Sequence, residues 1–270
     1  MSIRASIILN ICIVSFCLQQ GTSQSPYQVS WKGEAYHLGV GAVTFGMGLV
    51  FASQVKGLTE EEIAAHDRND VNQFDRGATY NSSSSAKTAS DIFWAGSYLV
   101  PLSLLALKDT RKDFGKIAIL YGEAILITTG LTYFVKGVAL RSRPFVYNKE
   151  DFSLEDKQTI SARHAFFSGH TSLTAASFFF TAKVFSDYYP DSKFKPYVWT
   201  VAIVVPAMVG YFRVAAGKHF PTDVITGYAV GAAIGFLIPH FHKKVKIGND
   251  DPSIKLLVGA TGASLKWNLN

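Results

Sequence analysis

Cysteine is nearly missing from this chain. The 270 residues hold two, Cys12 and Cys17, and both fall within the first 23. If that segment is removed, what remains has no thiol, which excludes disulfides and thiolate chemistry. Charge is sparse as well, at 17% of residues. No internal repeat, nucleic-acid motif or metal-ligand spacing is present. The nearest approach to a metal group, His66, Asp67, Asp70, Asp75 and Arg76, matches no ligand pattern and reads as a solvated face. No cofactor and no nucleic-acid partner are therefore expected. Oligomeric state leaves no mark on the sequence.

What is abundant is apolar: 48% of residues are hydrophobic and 13% aromatic, which points away from disorder. Apolar runs at 36–55, 92–107, 117–135, 165–185, 197–212 and 224–239 approach or reach the length that crosses a bilayer as helix. The fold class expected is all-α, a polytopic membrane bundle of about six spans. The first run carries Gly39, Gly41, Gly46 and Gly48, small residues that let a neighbouring helix approach. Between it and the second run, Thr59-Glu60-Glu61-Glu62 opens a short surface helix, threonine capping and carboxylates complementing the dipole.

The net charge of +6 is read against that background. Its lysines and arginines sit mainly in short connections, where membrane topology explains them better than nucleic acid does. Lys108, Arg111, Lys112 and Lys116, then Lys183, Lys193 and Lys195, then Lys243, Lys244 and Lys246 fall on one face and mark it as cytoplasmic. The opposite face receives the ends of runs three and five and the starts of runs four and six. It would be periplasmic in a bacterial inner membrane.

Residues 1–23 have the charged start, short apolar stretch and small-residue exit of a secretory signal. Lipidation of Cys17 is disfavoured, because Val14-Ser15-Phe16 lacks the small residues expected before it. The organisation expected is a signal at 1–23, a helical membrane domain at 24–247 and a tail at 248–270 with room for a short strand. One conflict follows. A cleaved signal leaves the new terminus outside, and a full crossing by 36–55 would then put the shared polar face inside.

Three polar clusters meet on that face. Lys136 and Arg143 are seven residues apart, two helical turns, with Pro144 marking the stop. Taken alone they read as interface anchors, and Arg141 between them as no more than that. Phe167-Ser168-Gly169-His170-Thr171 opens the fourth run, where a serine cap, exposed amides and a glycine make an anion site with His170 beside it. Arg213 closes the fifth run, His219 lies in the turn, and Asp223 follows four residues on. There the carboxylate can accept from one ring nitrogen and leave the other free as a nucleophile. Of the other histidines, His164 is in the right loop without a matching partner, while His37, His240 and His242 are at the wrong end.

Together the clusters resemble the type-2 phosphatidic acid phosphatase superfamily, whose pattern is Lys, six residues, Arg-Pro; Pro-Ser-Gly-His; and Ser-Arg, five residues, His, three residues, Asp. The match runs from Lys136 to Asp223 and departs from the pattern at Phe167, in place of proline, and Phe212, in place of serine. The resemblance implies a metal-independent phosphatase acting on lipid phosphates or diphosphates through a phosphohistidine. His219 would be nucleophile, Asp223 its orienting carboxylate and His170 the acid and base. Lys136, Arg143, Ser168, Gly169 and Arg213 would hold the phosphate. The substrate partner would be a lipid phosphate in the membrane, with phosphatidic acid, phosphatidylglycerol phosphate and undecaprenyl diphosphate as candidates. The alternatives are a lipid A phosphatase of the same superfamily and a non-catalytic protein that binds anionic headgroups. The second has no need of His170, His219 and Asp223 together. The superfamily's soluble haloperoxidase branch is disfavoured by the apolar runs.

Overall fold

A computed structural model describes residues 25–244, 254–259 and 262–267. The expected signal at 1–23 lies outside the described residues. Among the described residues, six long helices carry the architecture: α1 (Trp31–Ser53), α2 (Ser84–Ser97), α3 (Phe114–Ala139), α4 (Gly169–Tyr188), α5 (Lys195–Ala215) and α6 (Pro221–Phe241). Five of the expected apolar runs fall largely on one helix each, while the second, 92–107, is divided between α2 and the 3-10 segment Val100–Ala106. Among the described residues, three helices are long and apolar enough to cross a membrane: α3, α5 and α6. A fourth crossing results if α2 and the 3-10 segment Val100–Ala106, bent by 43° relative to it, count as one span. The chain is a multi-pass membrane protein.

The second run differs from its expected form in two ways. Its helix starts at Ser84, where Ser83 Oγ accepts from Ala86 N at 3.2 Å. It also stops at Ser97, and the chain tightens into 3-10 geometry around Pro101, which has no N–H to give to an α-helix. The tail contributes a two-stranded antiparallel hairpin, β1 (Ile254–Gly259) with β2 (Gly262–Trp267).

Helix α4 is the centre of the bundle, with α3, α5, α6 and α2 packed around it. Its hydroxyl residues Thr171, Ser172, Thr174, Ser177 and Thr181 are buried rather than turned to lipid. Thr132 Oγ1 of α3 lies 3.3 Å from Ser172 Oγ, and Tyr121 Oη lies 2.9 Å from Ser177 Oγ. Apolar packing closes the far end, where Ile117, Leu120 and Ala124 of α3 meet Phe180, Val184 and Phe185 of α4. Burying side chains of this size stabilises by about 1.5–3 kcal/mol each.

The contact between α4 and α6 is closer still. Gly227, Gly231 and Gly235 recur every fourth residue along α6, and a Cβ at each would meet Ser168 O at 2.6 Å, Ser172 O at 1.9 Å and Ala176 O at 2.3 Å. Only glycine lets the two backbones approach so far. This stripe sets the spacing of the two helix starts, and with it the spacing of His170 from His219. In α1, Gly48 plays the same part against Tyr133 and Phe134, whereas Gly39 and Gly46 face open space.

The N-terminal residues locate the start of α1. Tyr27 bridges to Lys243, Gln28 N donates to His242 O at 2.9 Å, and Lys244 N donates to Pro26 O at 2.8 Å. Residues 25–30 therefore lie at the basic end of the bundle, and α1 runs from there toward the polar end. A terminus exported by a cleaved signal and a cytoplasmic basic end are mutually exclusive in this fold.

Candidate active site

Lys136 sits in the last turn of α3, and Leu140 ends that helix in the left-handed conformation with φ 46°. Arg143 is consequently not two helical turns above Lys136. It lies in extended backbone, with its N–H donating to Ala162 O at 2.8 Å, just before a 3-10 turn opened by Pro144. The spacing brings both cations to one place, but by ending the helix rather than continuing it.

The turn between α5 and α6 is braced from two sides. Ser83 N donates to Ala215 O at 3.1 Å and Phe145 N to Gly217 O at 3.1 Å. Gly217 has φ 64°, and a side chain there would collide with Asn81 O at 2.1 Å, so this position requires glycine. The turn delivers His219 to the bundle end almost wholly buried.

A cavity of about 280 Å³ opens among these ends. Lys136, Arg143, Gly169, His170 and His219 line it, joined by Trp94, Thr132, Tyr133, His164 and Leu173. Ser168, Arg213 and Asp223 are buried and are not part of its lining. Ser168 caps α4, its Oγ 2.9 Å from Thr171 Oγ1, and its N–H donates to Asp223 O at 3.0 Å. Arg213 donates from one guanidinium nitrogen to Asp91 Oδ1 at 3.0 Å and Ser90 Oγ at 3.2 Å. Phe167 is buried, and Phe212 packs on Phe93 at 6.4 Å between ring centres.

Each histidine has a carboxylate. Asp91 Oδ1 lies 2.9 Å from His170 Nε2, and the ring of Trp94 lies over His170 at 4.6 Å. His219 Nδ1 is 3.5 Å from Asp223 Oδ2, close but short of a hydrogen bond, and it has no other partner among the described residues. Nε2 is then the nitrogen left toward the cavity. Asp223 Oδ2 instead accepts from Phe220 N at 2.8 Å.

Burial, and then the charges of Arg143, Lys136 and Arg213, hold the His219 ring well below the ordinary histidine range. His164 is pushed down to about 4 by burial and then by Lys136 and Arg143. Its carbonyl accepts from Lys136 Nζ at 2.6 Å. Both rings are therefore neutral at pH 7. A nucleophilic ring nitrogen, a second histidine held by Asp91, and at least two clamping cations can perform phosphoryl transfer.

Three readings of the sequence need correction. Asp75 is not on a solvated face. It is fully buried, and although burial opposes this, hydrogen bonds from Thr222, Asn72 and Arg141 hold it below the usual carboxylate range. Arg141 is not an interface anchor, because it pairs with Asp75 and Asp223 at 2.7 and 2.6 Å. His164 lines the cavity despite lacking a motif partner. Asp91 and Trp94 were missed altogether; a carboxylate at the edge of an apolar run was the available signal.

The PAP2 superfamily model matches residues 117–247, which include all three clusters. The lipid A 4'-phosphatase of Porphyromonas gingivalis is 40% identical over 83 residues, covering 31% of this chain and 30% of that protein. Phosphatidylglycerophosphatase B of Bacillus subtilis is 42% identical over 55 residues, 20% of this chain and 27% of that protein. The undecaprenyl-diphosphatase of Sulfolobus acidocaldarius is 31% identical over 137 residues, 50% of this chain and 57% of that protein. The chain thus spans less than two thirds of the length of each of these relatives. A transmembrane PAP2-type phosphatidylglycerolphosphate phosphatase from Bacillus subtilis, known from its crystal structure, aligns with 88% of this chain and 94% of its own at 20% identity and a TM-score of 0.35.

Proposed function

Residues 117–247 make this chain a member of the PAP2 superfamily, and from that premise we propose that it is a membrane phosphatase hydrolysing lipid phosphate or diphosphate esters through a phosphohistidine. The observation that carries the reading is the convergence of Lys136, Arg143, His170 and His219 on one cavity, with Asp223 behind the nucleophile.

His219 Nε2 attacks phosphorus, and a P–N bond forms as the P–O bond to the lipid breaks. His170 gives its proton to the departing oxygen, then takes one from the water that cleaves the P–N bond, releasing phosphate and restoring both rings. Lys136 and Arg143 hold the equatorial oxygens through the five-coordinate transition state, with Gly169 N–H and the Ser168 hydroxyl at the start of α4. Arg213 joins them from behind Asp91. The reaction as drawn takes its charge stabilisation from these groups.

A lipid fits because the cavity is lined by apolar and aromatic side chains as well as by charged ones. Helices α2 and α3 both pack on α4 rather than along each other, and they meet where Tyr121 Oη donates to Tyr98 O at 3.4 Å. Trp94, Thr129, Tyr133 and Leu173 line the cavity together with Lys136, Arg143, His170 and His219. A headgroup can occupy the site while its chain stays in the bilayer. Lipid A phosphate, undecaprenyl diphosphate and phosphatidylglycerol phosphate all have the required chemistry.

We assign the domain to 24–247 and the tail to 248–270. The site is assigned to the periplasmic face of a bacterial inner membrane, on the strength of the basic connections at the other end. That sidedness predicts a mature chain that has not been cut near residue 23. An N-terminus at residue 24 in the purified protein reverses it.

The test of function is phosphate release by purified protein across lipid monophosphates and diphosphates, with and without chelator. Turnover is expected from wild type and a loss of at least about 10⁴-fold from His219→Ala. Vanadate, a mimic of five-coordinate phosphorus, is expected to inhibit. Binding without turnover supports the headgroup-binding alternative instead.

A further inference from the structure

Arg141 has no part in the chemistry described above, yet it is the most heavily engaged cation near the site. One guanidinium nitrogen lies 2.6 Å from Asp223 Oδ1 and 2.8 Å from Thr222 Oγ1, and the other lies 2.7 Å from Asp75 Oδ2. Its flat face rests 4.2 Å above the Phe220 ring. Neither aspartate has any exposed side chain.

Asp75 comes from the loop before α2 and caps α6 from outside. It accepts from Thr222 N at 3.0 Å, Thr222 Oγ1 at 2.6 Å and Asn72 Nδ2 at 2.9 Å. Phe220, at the cap position, has no side chain able to do this. Two buried carboxylates therefore share one helix start, and Arg141 is the cation between them. A helix N-terminus favours negative charge, but two like charges at low dielectric repel strongly, and without a counter-ion one of them must take a proton.

Asp223 is already committed on both oxygens, to Arg141 and to Phe220 N, with His219 Nδ1 at 3.5 Å. Arg141 thus fixes the direction from which Asp223 meets the ring. We propose that Arg141 is a positioning residue for the nucleophile: braced on Asp75, it keeps Asp223 charged and aimed at His219 Nδ1 as the opposite ring nitrogen bonds to phosphorus. This rests on His219 being the nucleophile.

The experiment compares full-length wild type, Arg141→Gln, Arg141→Lys, Asp75→Asn and the double variant Arg141→Gln/Asp75→Asn in detergent, on a lipid phosphate that wild type turns over. Arg141→Gln is expected to lower kcat about 100-fold with KM changed by less than about threefold, and lysine to restore about tenfold. The double variant is expected to be more active than Arg141→Gln alone, because removing Asp75 removes the charge that Arg141 balanced. A merely structural brace predicts the reverse, a double variant worse than either single one, and that result or an unchanged kcat overturns the proposal.

A second readout does not need turnover. Carbethoxylation of His219 by diethyl pyrocarbonate, mapped by mass spectrometry, is expected to slow about tenfold in Arg141→Gln while His66 reacts as before. Equal rates at His219 sink the role given to Arg141. Absence of phosphate release by wild type on every lipid sinks the phosphatase reading, and the labelling rates still decide Arg141.

Discussion

His170 and His219 each have an aspartate and an arginine behind them, in contrasting settings. On the His170 side, Asp91 shares one oxygen between the ring and Arg213, and its side chain is 44% exposed. On the His219 side, Asp223 has no exposed surface and is held by Arg141 and a backbone amide. The open half suits a group that must give and take a proton in every cycle, because solvent reaches the carboxylate that holds the ring. The sealed half suits a nucleophile, whose ring must keep one direction and lose no basicity to competing hydrogen bonds.

The sharpest way to break the contrast is on the sealed side. Asp223→Asn is expected to cut kcat by about 10³- to 10⁴-fold, as loss of an orienting carboxylate does elsewhere, while vanadate still protects the protein against heat. Steady-state kinetics with a parallel melting curve checks both halves of that statement. On the open side, Asp91→Asn is expected to cost about 10²-fold on a lipid phosphate and much less on p-nitrophenyl phosphate, whose leaving group needs little help from an acid. Equal losses on the two substrates contradict the division of labour.

A third substitution acts on what joins the halves. Gly231→Ala puts a methyl 1.9 Å from Ser172 O, so α4 and α6 must separate. Overpacking of this kind destabilises by about 1–3 kcal/mol, and a lower melting temperature together with reduced kcat is expected. Ala substitution at Gly39, which faces open space, serves as the control expected to change neither.

The smallest effect is with pH. His219 and His164 titrate in the folded protein below their ordinary value of about 6.5, His164 at about 4. Between those limits the unfolded chain binds more protons than the folded one, so stability falls as pH drops through the window. Melting temperatures measured from pH 7 to 4.5 are expected to decline, with a shallower slope in His164→Gln. Bound vanadate, adding negative charge among the cations, is expected to flatten it too.

Much of this was legible in the chain. Lys136, Arg143, Gly169, His170 and His219 could be collected from motif spacing and from which helix ends share a face, and the structure brings all five to the cavity. Spacing could not disclose that α3 stops at Ala139, because the left-handed turn falls on Leu140, a residue with no propensity for it. Arg141 and Asp75 were misread for another reason. They are 66 residues apart, and Asp75 reaches across 147 residues to Thr222, so nothing local tells a buried pair from a solvated one. An apolar run of spanning length at 165–185 likewise does not disclose which neighbours surround it, and the serines and threonines of α4 are enclosed by other helices.

The apolar side chains that Trp94 and Leu173 add to the cavity lining also bear on how the proposed reaction is to be measured. A lipid substrate of the kind proposed is dissolved in the membrane, so the quantity that would govern its capture is its mole fraction in the bilayer or micelle, not its concentration per litre. Adding detergent at constant lipid thins the substrate in two dimensions and lowers the observed rate while every bulk concentration stays the same. Saturation curves on the proposed lipid substrates would therefore be surface isotherms, comparable between preparations at matched lipid-to-detergent ratio.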